Sequence, residues 1–166
     1  MSRAKTPWVA LTLAVASTAL AGCGGVKADV FPRYLRSESG DQFVIGQVGN
    51  ADGGLPGLTA IYHGDRFIVL DTVARYPDSA HAKEALQQAV AIPIRGNPTA
   101  QNVEIGDGGT FLLAPSVAQS KSGGMLLFTK GAALAILQFQ GTPTDPVTAP
   151  WASSIAQDQN SNIPDW

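Results

Sequence analysis

Two short segments of this chain are apolar at every position, and this feature restricts the folds that the chain can adopt. Residues 67–70 read Phe-Ile-Val-Leu, and residues 134–137 read Leu-Ala-Ile-Leu. Successive side chains of a β-strand point to opposite faces of its sheet, so both faces of these segments would be apolar. Such strands lie in the middle of a sheet that is covered on both sides. We therefore predict that both segments are central strands.

The other elements are predicted from periodicity and from turn residues. His63, Gly64 and Asp65 separate two apolar runs, which is typical of a β-hairpin. Pro77 is expected in a turn, and Asp78 is expected to cap the helix that follows. We predict strands at 42–48, 58–62, 66–73, 103–105, 110–113, 125–129 and 132–140, and helices at 79–90 and 150–159; residues 31–35 fit either a short strand or a helical turn.

These elements indicate an α+β fold in which an antiparallel sheet carries its helices on one face. Two helices of this length can cover only one face of the sheet. We therefore expect the second face to meet the loops at 50–57 and 114–124, a ligand or a partner.

The two halves of the predicted domain share an order of elements. When residues 57–90 are aligned with residues 124–159, the two predicted hairpins align with each other, and so do the two predicted helices. In this alignment Gly57 corresponds to Gly124. The domain therefore contains either two strand–strand–strand–helix repeats or two halves whose order of elements is similar without a duplication.

Composition excludes several classes of protein. The chain has 166 residues, which is the length of a single domain, and a formal net charge of −2. Lysine and arginine do not cluster, which argues against nucleic acid as a partner. Cys23 is the one cysteine, so neither an internal disulfide nor a cysteine-rich metal site can form.

The N-terminal segment has the layout of a secretory signal. Arg3 and Lys5 supply positive charge, and residues 8–21 supply an apolar stretch. This stretch is shorter than the roughly 20 residues that a membrane-spanning helix needs. It ends in the tetrad Leu20-Ala21-Gly22-Cys23.

This tetrad resembles the lipobox of bacterial lipoproteins, and the resemblance covers only the first 23 residues. It implies that the Cys23 thiol accepts diacylglycerol as a thioether and that Cys23 becomes the first residue after processing. The resemblance implies a signal peptide at 1–22 and an acylated Cys23. From the rest of the sequence we predict that residues 23–30 form this acylated N-terminus and a short tether, and that residues 31–166 form a single globular domain. The implied location is the extracytoplasmic side of a bacterial cell membrane. An ordinary cleaved signal with a chance cysteine, or a buried free cysteine, is the alternative interpretation.

Candidate metal ligands are few. His63 lies in a predicted turn and His81 in the first turn of a predicted helix, and no spacing typical of a zinc site joins them. A third ligand would have to come from Asp65 or Asp71. We interpret both histidines as surface residues, so the sequence predicts no metal and no cofactor.

Motifs for catalysis are equally weak. The segment Ser120-Lys121-Ser122 would need a helix to bring a serine beside the lysine, and its surroundings predict a loop. The glycine-rich segment at 106–109 lacks the Lys-Ser or Lys-Thr of a phosphate-binding loop and is interpreted as a turn. We therefore predict no catalytic residues, and a hydrolase with an unrecognised site is a weaker alternative.

These observations together predict a membrane-anchored lipoprotein of the cell envelope. Its domain is expected to bind a partner protein or an envelope component without catalysis, and its membrane contact is the diacylglyceryl group on Cys23. The alternative is a carrier of a small hydrophobic ligand or lipid, held in an apolar groove on the second face of the sheet. The groove would be lined by one of two sets of residues, either Phe67, Val69, Leu137 and Phe139 or Ile68, Leu70 and Ile136.

Overall fold

A computed structural model describes residues 25–51, 55–91, 99–114, 123–141, 144 and 146–166. These residues form an eight-stranded antiparallel sheet, two α-helices and a short 3₁₀ helix, so the predicted α+β class and antiparallel sheet are confirmed. The 3₁₀ helix is Ala28–Val30. The other elements, in chain order, are β1 (Tyr34–Arg36), β2 (Gln42–Asn50), β3 (Gly57–His63), β4 (Ile68–Arg75), α1 (Ser79–Ala91), β5 (Thr99–Val103), β6 (Gly109–Ala114), β7 (Gly123–Lys130), β8 (Ala133–Gln140) and α2 (Ala149–Asn162).

The two segments that are apolar on both faces form the middle of the sheet. The strand order is β1-β2-β3-β4-β8-β7-β6-β5, so β4 and β8 are neighbours. They pair along their whole length, from Ile68 opposite Gln140 to Arg75 opposite Ala133. The prediction that both are central strands is therefore correct.

The two helices lie on opposite faces of the sheet, which corrects the expectation that both cover one face. Ile136 of β8 belongs to the apolar cluster that contains Ala85 of α1. The next residue of the same strand, Leu137, belongs to the cluster that contains Ile155 of α2. Neighbouring residues of a strand point to opposite faces, so each helix covers a different side. Helical periodicity shows that a helix has an apolar face, but it does not show which side of a sheet that face will meet.

The sheet curves around α2. This helix packs against β1 and also against β6 and β7. Four strands separate β1 from β7 in the sheet, and in a flat sheet this separation would be about 24 Å at roughly 4.8 Å per strand. A helix with its side chains is only about 10–12 Å across, so it can touch both strands only if the sheet bends. The main core therefore lies in the concave side of the sheet, beneath α2.

The order of elements occurs twice, since each half of the chain runs through four strands and then one helix. Gly57 and Gly124 both lie at the start of the third strand of their half. If the two halves also shared their packing, a twofold rotation about an axis normal to the sheet would relate them. This rotation would exchange β4 with β8, and both helices would then lie on the same face. Because α1 and α2 lie on opposite faces, the halves share their order of elements but not their packing.

Two terminal segments of the sheet differ from the prediction. Residues 34–36 form a strand, which decides between the strand and the helical turn expected near residues 31–35. The edge strand β5 occupies Thr99–Val103 instead of 103–105. Its residues are mostly polar and exposed, so it has no apolar alternation by which the sequence could reveal it.

The folded domain begins before residue 31. Val26 packs against the main core, and Val30 is only 1% exposed. The 3₁₀ helix that ends at Val30 therefore belongs to the domain, although residues 23–30 were expected to form a tether.

Candidate functional site

The sheet has two ends that differ in composition. One, which we call the Gly25 end, holds Gly25 together with Asn50 and Arg75. The other, which we call the Trp151 end, holds Trp151, the β1–β2 turn at 37–41 and the β3–β4 turn at 64–67. Helix α2 runs from the Trp151 end toward the Gly25 end.

A surface hollow of about 340 Å³ lies at the Trp151 end. It is lined by residues 63–68 of the β3–β4 turn and by Gln140 and Gly141. It is open to solvent, and more of its lining is polar than apolar. Exposed polar side chains such as Asp65 and Arg66 stand around it.

The Asp41 carboxylate joins three parts of the chain beside this hollow. Its Oδ2 atom accepts hydrogen bonds from Nε1 of Trp151 at 2.8 Å and from the hydroxyls of Ser39 and Ser37 at 2.9 and 3.0 Å. Its Oδ1 atom accepts a hydrogen bond from Nη2 of Arg66 at 3.1 Å. These donors, with the Trp151 indole first, lower the pKa of Asp41 from 3.8 to about 2. The charged form therefore stabilises the fold above pH 3.8, and this stabilisation is lost as the pH falls through about 2.

Aromatic rings fix the position of the Trp151 indole. Its ring centroid lies 4.4 Å from that of Phe67, 5.4 Å from that of Phe139 and 5.9 Å from that of Phe43. The Asp41 hydrogen bond and these ring contacts attach the start of α2 to both β-turns of this end. These contacts therefore hold Phe67, which lines the hollow, against the start of α2.

The first set of residues predicted to line an apolar groove is covered by protein. Phe67, Val69, Leu137 and Phe139 are buried in the main core with Ile155 and Ala156 of α2. Ile136 of the second set is buried in the cluster that contains residues of α1, and Ile68 and Leu70 are partly exposed on that face.

Asp71 is a carboxyl group buried in the main core. It lies in the middle of β4, opposite Ala60 of β3 and Leu137 of β8, and its exposed fraction is 0%. Within the described residues neither of its carboxyl oxygens has a hydrogen-bond partner. Burial raises the pKa of Asp71 well above its ordinary value of 3.8. Because the side chain is inaccessible, Asp71 can meet a solute only if the core opens.

The histidines do not meet at a common site. His63 is exposed beside the hollow at the Trp151 end. His81 lies in the first turn of α1, where its backbone N–H donates to Oδ1 of Asp78 at 2.9 Å, so the predicted helix cap is confirmed. Across the described ranges, no group of three histidine, cysteine or acidic side chains is placed to hold a metal ion.

A second hollow, of about 270 Å³, lies at the Gly25 end. Gly25 and Val26 line it together with Asn50, residues 56–58 and Arg75. The guanidinium carbon of Arg75 lies 5.2 Å from the ring centroid of Trp166. Gly25, the first described residue, therefore lies beside Arg75, whose guanidinium group contacts the Trp166 ring.

Several predicted functional segments lie outside the described residues: the apolar stretch at 8–21, Cys23, and Ser120-Lys121-Ser122. Of the helices that are described, none is long and apolar enough to cross a membrane.

Sequence reasoning did not identify the role of Asp41. The sequence Ser37-Glu38-Ser39-Gly40-Asp41 is rich in turn residues and could have indicated a turn with a carboxylate that accepts local hydrogen bonds. Its distant partners in the β3–β4 turn and in α2 leave no signal in the local sequence.

Comparison with known protein families, with curated proteins and with solved structures gives no significant match to this chain. Its function is therefore inferred from its own residues.

Proposed function

We propose that this protein is a lipoprotein anchored through acylated Cys23 on the extracytoplasmic side of a bacterial membrane. Its domain binds a partner protein or an envelope component without catalysis, through the hollow at the Trp151 end. The observation that carries the proposal is that Gly25, two residues after Cys23, already belongs to the domain and lies at the opposite end of the sheet. A lipid at Cys23 would therefore leave the Trp151 end facing away from the membrane.

The hollow has the features of a recognition surface. Arginine and aromatic residues are enriched where proteins bind partners. Arg66 is 53% exposed at the rim while its guanidinium pairs with Asp41, and Phe67 is held against Trp151. A partner would therefore meet a surface that is already ordered, which reduces the entropy lost on binding.

We favour partner binding over the carrier function. The carrier hypothesis needs an apolar groove, and α2 covers the four residues of the first predicted set. Both hollows described above open at the surface instead.

The anchor is tested by changing Cys23→Ser in the full-length protein. Without the thiol no thioether can form, so we expect the protein to remain unprocessed or to appear in the soluble fraction after detergent phase partitioning. Gly24→Ala is the matched control, because it keeps the thiol and should leave membrane retention unchanged. Normal processing and full membrane retention of Cys23→Ser would contradict the proposed anchor.

The binding surface is tested by photo-crosslinking in cells. A benzophenone amino acid is placed at Asp65, in the exposed turn of the hollow, and in a matched protein at Glu84, on the exposed surface of α1. We expect a discrete crosslinked product from position 65 and none from position 84, and Arg66→Glu should weaken the product. Equal products from the two positions would contradict recognition at the Trp151 end.

A further inference from the structure

The segment that links the proposed lipid on Cys23 to the folded domain is very short. Cys23 precedes Gly25 by two residues, and two residues span at most about 7 Å. The lipid headgroup layer on each side of a bilayer is itself about 5–8 Å thick. A glycerol group at the inner boundary of this layer would therefore hold Gly25 within or directly above the headgroups.

The domain cannot lengthen this connection without losing contacts. Val26 packs against the main core and Val30 is 1% exposed within it. The backbone carbonyl of Val30 also accepts a hydrogen bond from Nε2 of Gln159, a fully buried residue of α2, at 3.2 Å. Releasing residues 25–30 as a flexible tether would break all of these interactions.

We propose that the Gly25 end of the domain is a bilayer-contact surface that sits in the phospholipid headgroup layer. This inference rests on the proposed lipid anchor at Cys23. It assigns a role to the surface around the hollow of Gly25, Asn50 and Arg75, and it fixes the orientation of the whole domain on the membrane.

The side chains at this end suit such a position. Trp166 is partly buried against the main core, and the guanidinium of Arg75 stacks over its ring. Tryptophan and arginine each combine an apolar body with a polar group, and both are favoured at the boundary between lipid and water. Lys130 is less suited to binding lipid phosphate, because its ammonium group donates to the carbonyls of Asn160 and Ile163 and pairs with Asp165.

The chain contains its own pair of probes for this orientation. After removal of residues 1–22, Trp151 and Trp166 are the remaining tryptophans. Trp151 lies in the first turn of α2, and Trp166 lies four residues after its last residue, Asn162. The 11 helical steps from Trp151 to Asn162, at a rise of 1.5 Å each, correspond to about 17 Å. In the proposed orientation Trp166 is near the headgroups, and Trp151 is about one helix length farther from the bilayer.

The test measures quenching of tryptophan fluorescence in the full-length lipidated protein, reconstituted in phosphatidylcholine vesicles. A fraction of the lipid carries a nitroxide on the choline headgroup, and nitroxide-free vesicles are the reference. Trp151→Phe isolates the emission of Trp166, and Trp166→Phe isolates that of Trp151. We expect the fractional loss of emission to be severalfold greater for Trp166 than for Trp151.

Equal loss for the two tryptophans, or a greater loss for Trp151, would overturn the proposed surface. If Trp151→Phe fails to fold, subtracting the emission of Trp166→Phe from that of the unsubstituted protein gives the same comparison. The intact mass of the purified protein separately reports the lipid on Cys23, and its absence would refute the proposed function. In that case a protein of residues 23–166, which lacks Trp8, is coupled through its single cysteine, Cys23, to a maleimide-headgroup lipid, and the same quenching comparison tests the contact surface.

Discussion

Asp71 shows how one side chain can act against the stability of the domain. The neighbouring residues on its face of β4, Val69 and Val73, are apolar and fully buried. A carboxyl group placed between them gives up its hydration, and within the described residues it gains no hydrogen bond. An unpaired buried polar group of this kind destabilises a protein by on the order of 1–3 kcal/mol, and a charged one by more.

Asp71→Asn should therefore change the pH dependence of unfolding. Because burial raises the folded-state pKa above 3.8, the folded state favours the neutral acid. The associated stability is fully present below pH 3.8 and is lost as the pH rises through the folded-state pKa. The asparagine variant lacks this loss, so at pH 8 it should exceed the unsubstituted protein in free energy of unfolding by about 1–3 kcal/mol.

Urea denaturation at pH 4, 6 and 8 measures the effect, with Asp65→Asn in the exposed turn as the control. The difference between Asp71→Asn and the unsubstituted protein should grow with pH, whereas that for Asp65→Asn should stay small. A constant difference for Asp71→Asn across these pH values would show that Asp71 does not titrate as a buried acid.

The role of a residue was predictable where its partner is close in the sequence. Asp78 caps a helix that begins at the next residue. The capping residue and the start of the helix can both be recognised in the sequence. Asp71 stands in a predicted strand between apolar residues of the same face, so its burial could have been anticipated from alternation. The contacts of Asp41 with Trp151, 110 positions away, depend on the curvature of the sheet and could not be predicted.

At the scale of elements, α1 lies close to the sheet because its inner face is made of alanines. Ala82, Ala85 and Ala89 are buried, and Ala85 and Ala89 share a cluster with Leu127 and Ile136. Small side chains bring the helix axis near the strands and leave little room for larger groups.

Ala85→Leu should destabilise the domain, because three additional carbon atoms must fit into a packed interface. Overpacking of this kind costs about 1–3 kcal/mol. Ala80→Leu, on the exposed side of the same helix, introduces the same side chain without that conflict. Thermal melts of the two variants should therefore differ, with the midpoint lowered for Ala85→Leu and nearly unchanged for Ala80→Leu. An equal midpoint in both would mean that α1 does not pack tightly on the sheet.

Most elements, but not their arrangement, could be predicted from the sequence. The hairpin turns at 63–65 and 130–131 and both helices are marked by glycine, proline and apolar periodicity. Gly131 has a φ of +53°, which explains why a glycine marks the second turn. The face that each helix covers depends instead on how the chain crosses from β4 to β5 and from β8 to α2, and no local pattern encodes that crossing.

At the scale of the whole molecule, residues 25–30, which follow the proposed lipid anchor at Cys23, are part of the fold. Val26 and Val30 pack against the core, and Gln159 donates to the carbonyl of Val30. A protein of residues 31–166 should therefore be less stable than one of residues 25–166. The burial of one valine contributes at least about 1.5 kcal/mol, and the broken hydrogen bond adds to that loss.

Guanidinium denaturation compares the two lengths, and Lys27→Ala in the longer protein is the control, because Lys27 is exposed. The shorter protein should unfold at a lower denaturant concentration, and Lys27→Ala should behave like its parent. Coinciding midpoints for the two lengths would mean that residues 25–30 contribute nothing to the fold.

The pairing of β4 with β8 also governs the order in which the molecule can assemble. Every other strand pair joins strands that are consecutive in the sequence, so each half of the sheet is a meander that can close over short loops. The pairing of β4 with β8 brings together strands that are far apart in the sequence, and contacts of such large sequence separation slow folding. Assembly can therefore begin independently in two places and end when the halves meet and α2, from the second half, docks on β1 of the first. A chain cleaved between residues 92 and 98 would keep a complete meander and its helix in each fragment, so the two fragments together would hold every described strand pair of the intact sheet.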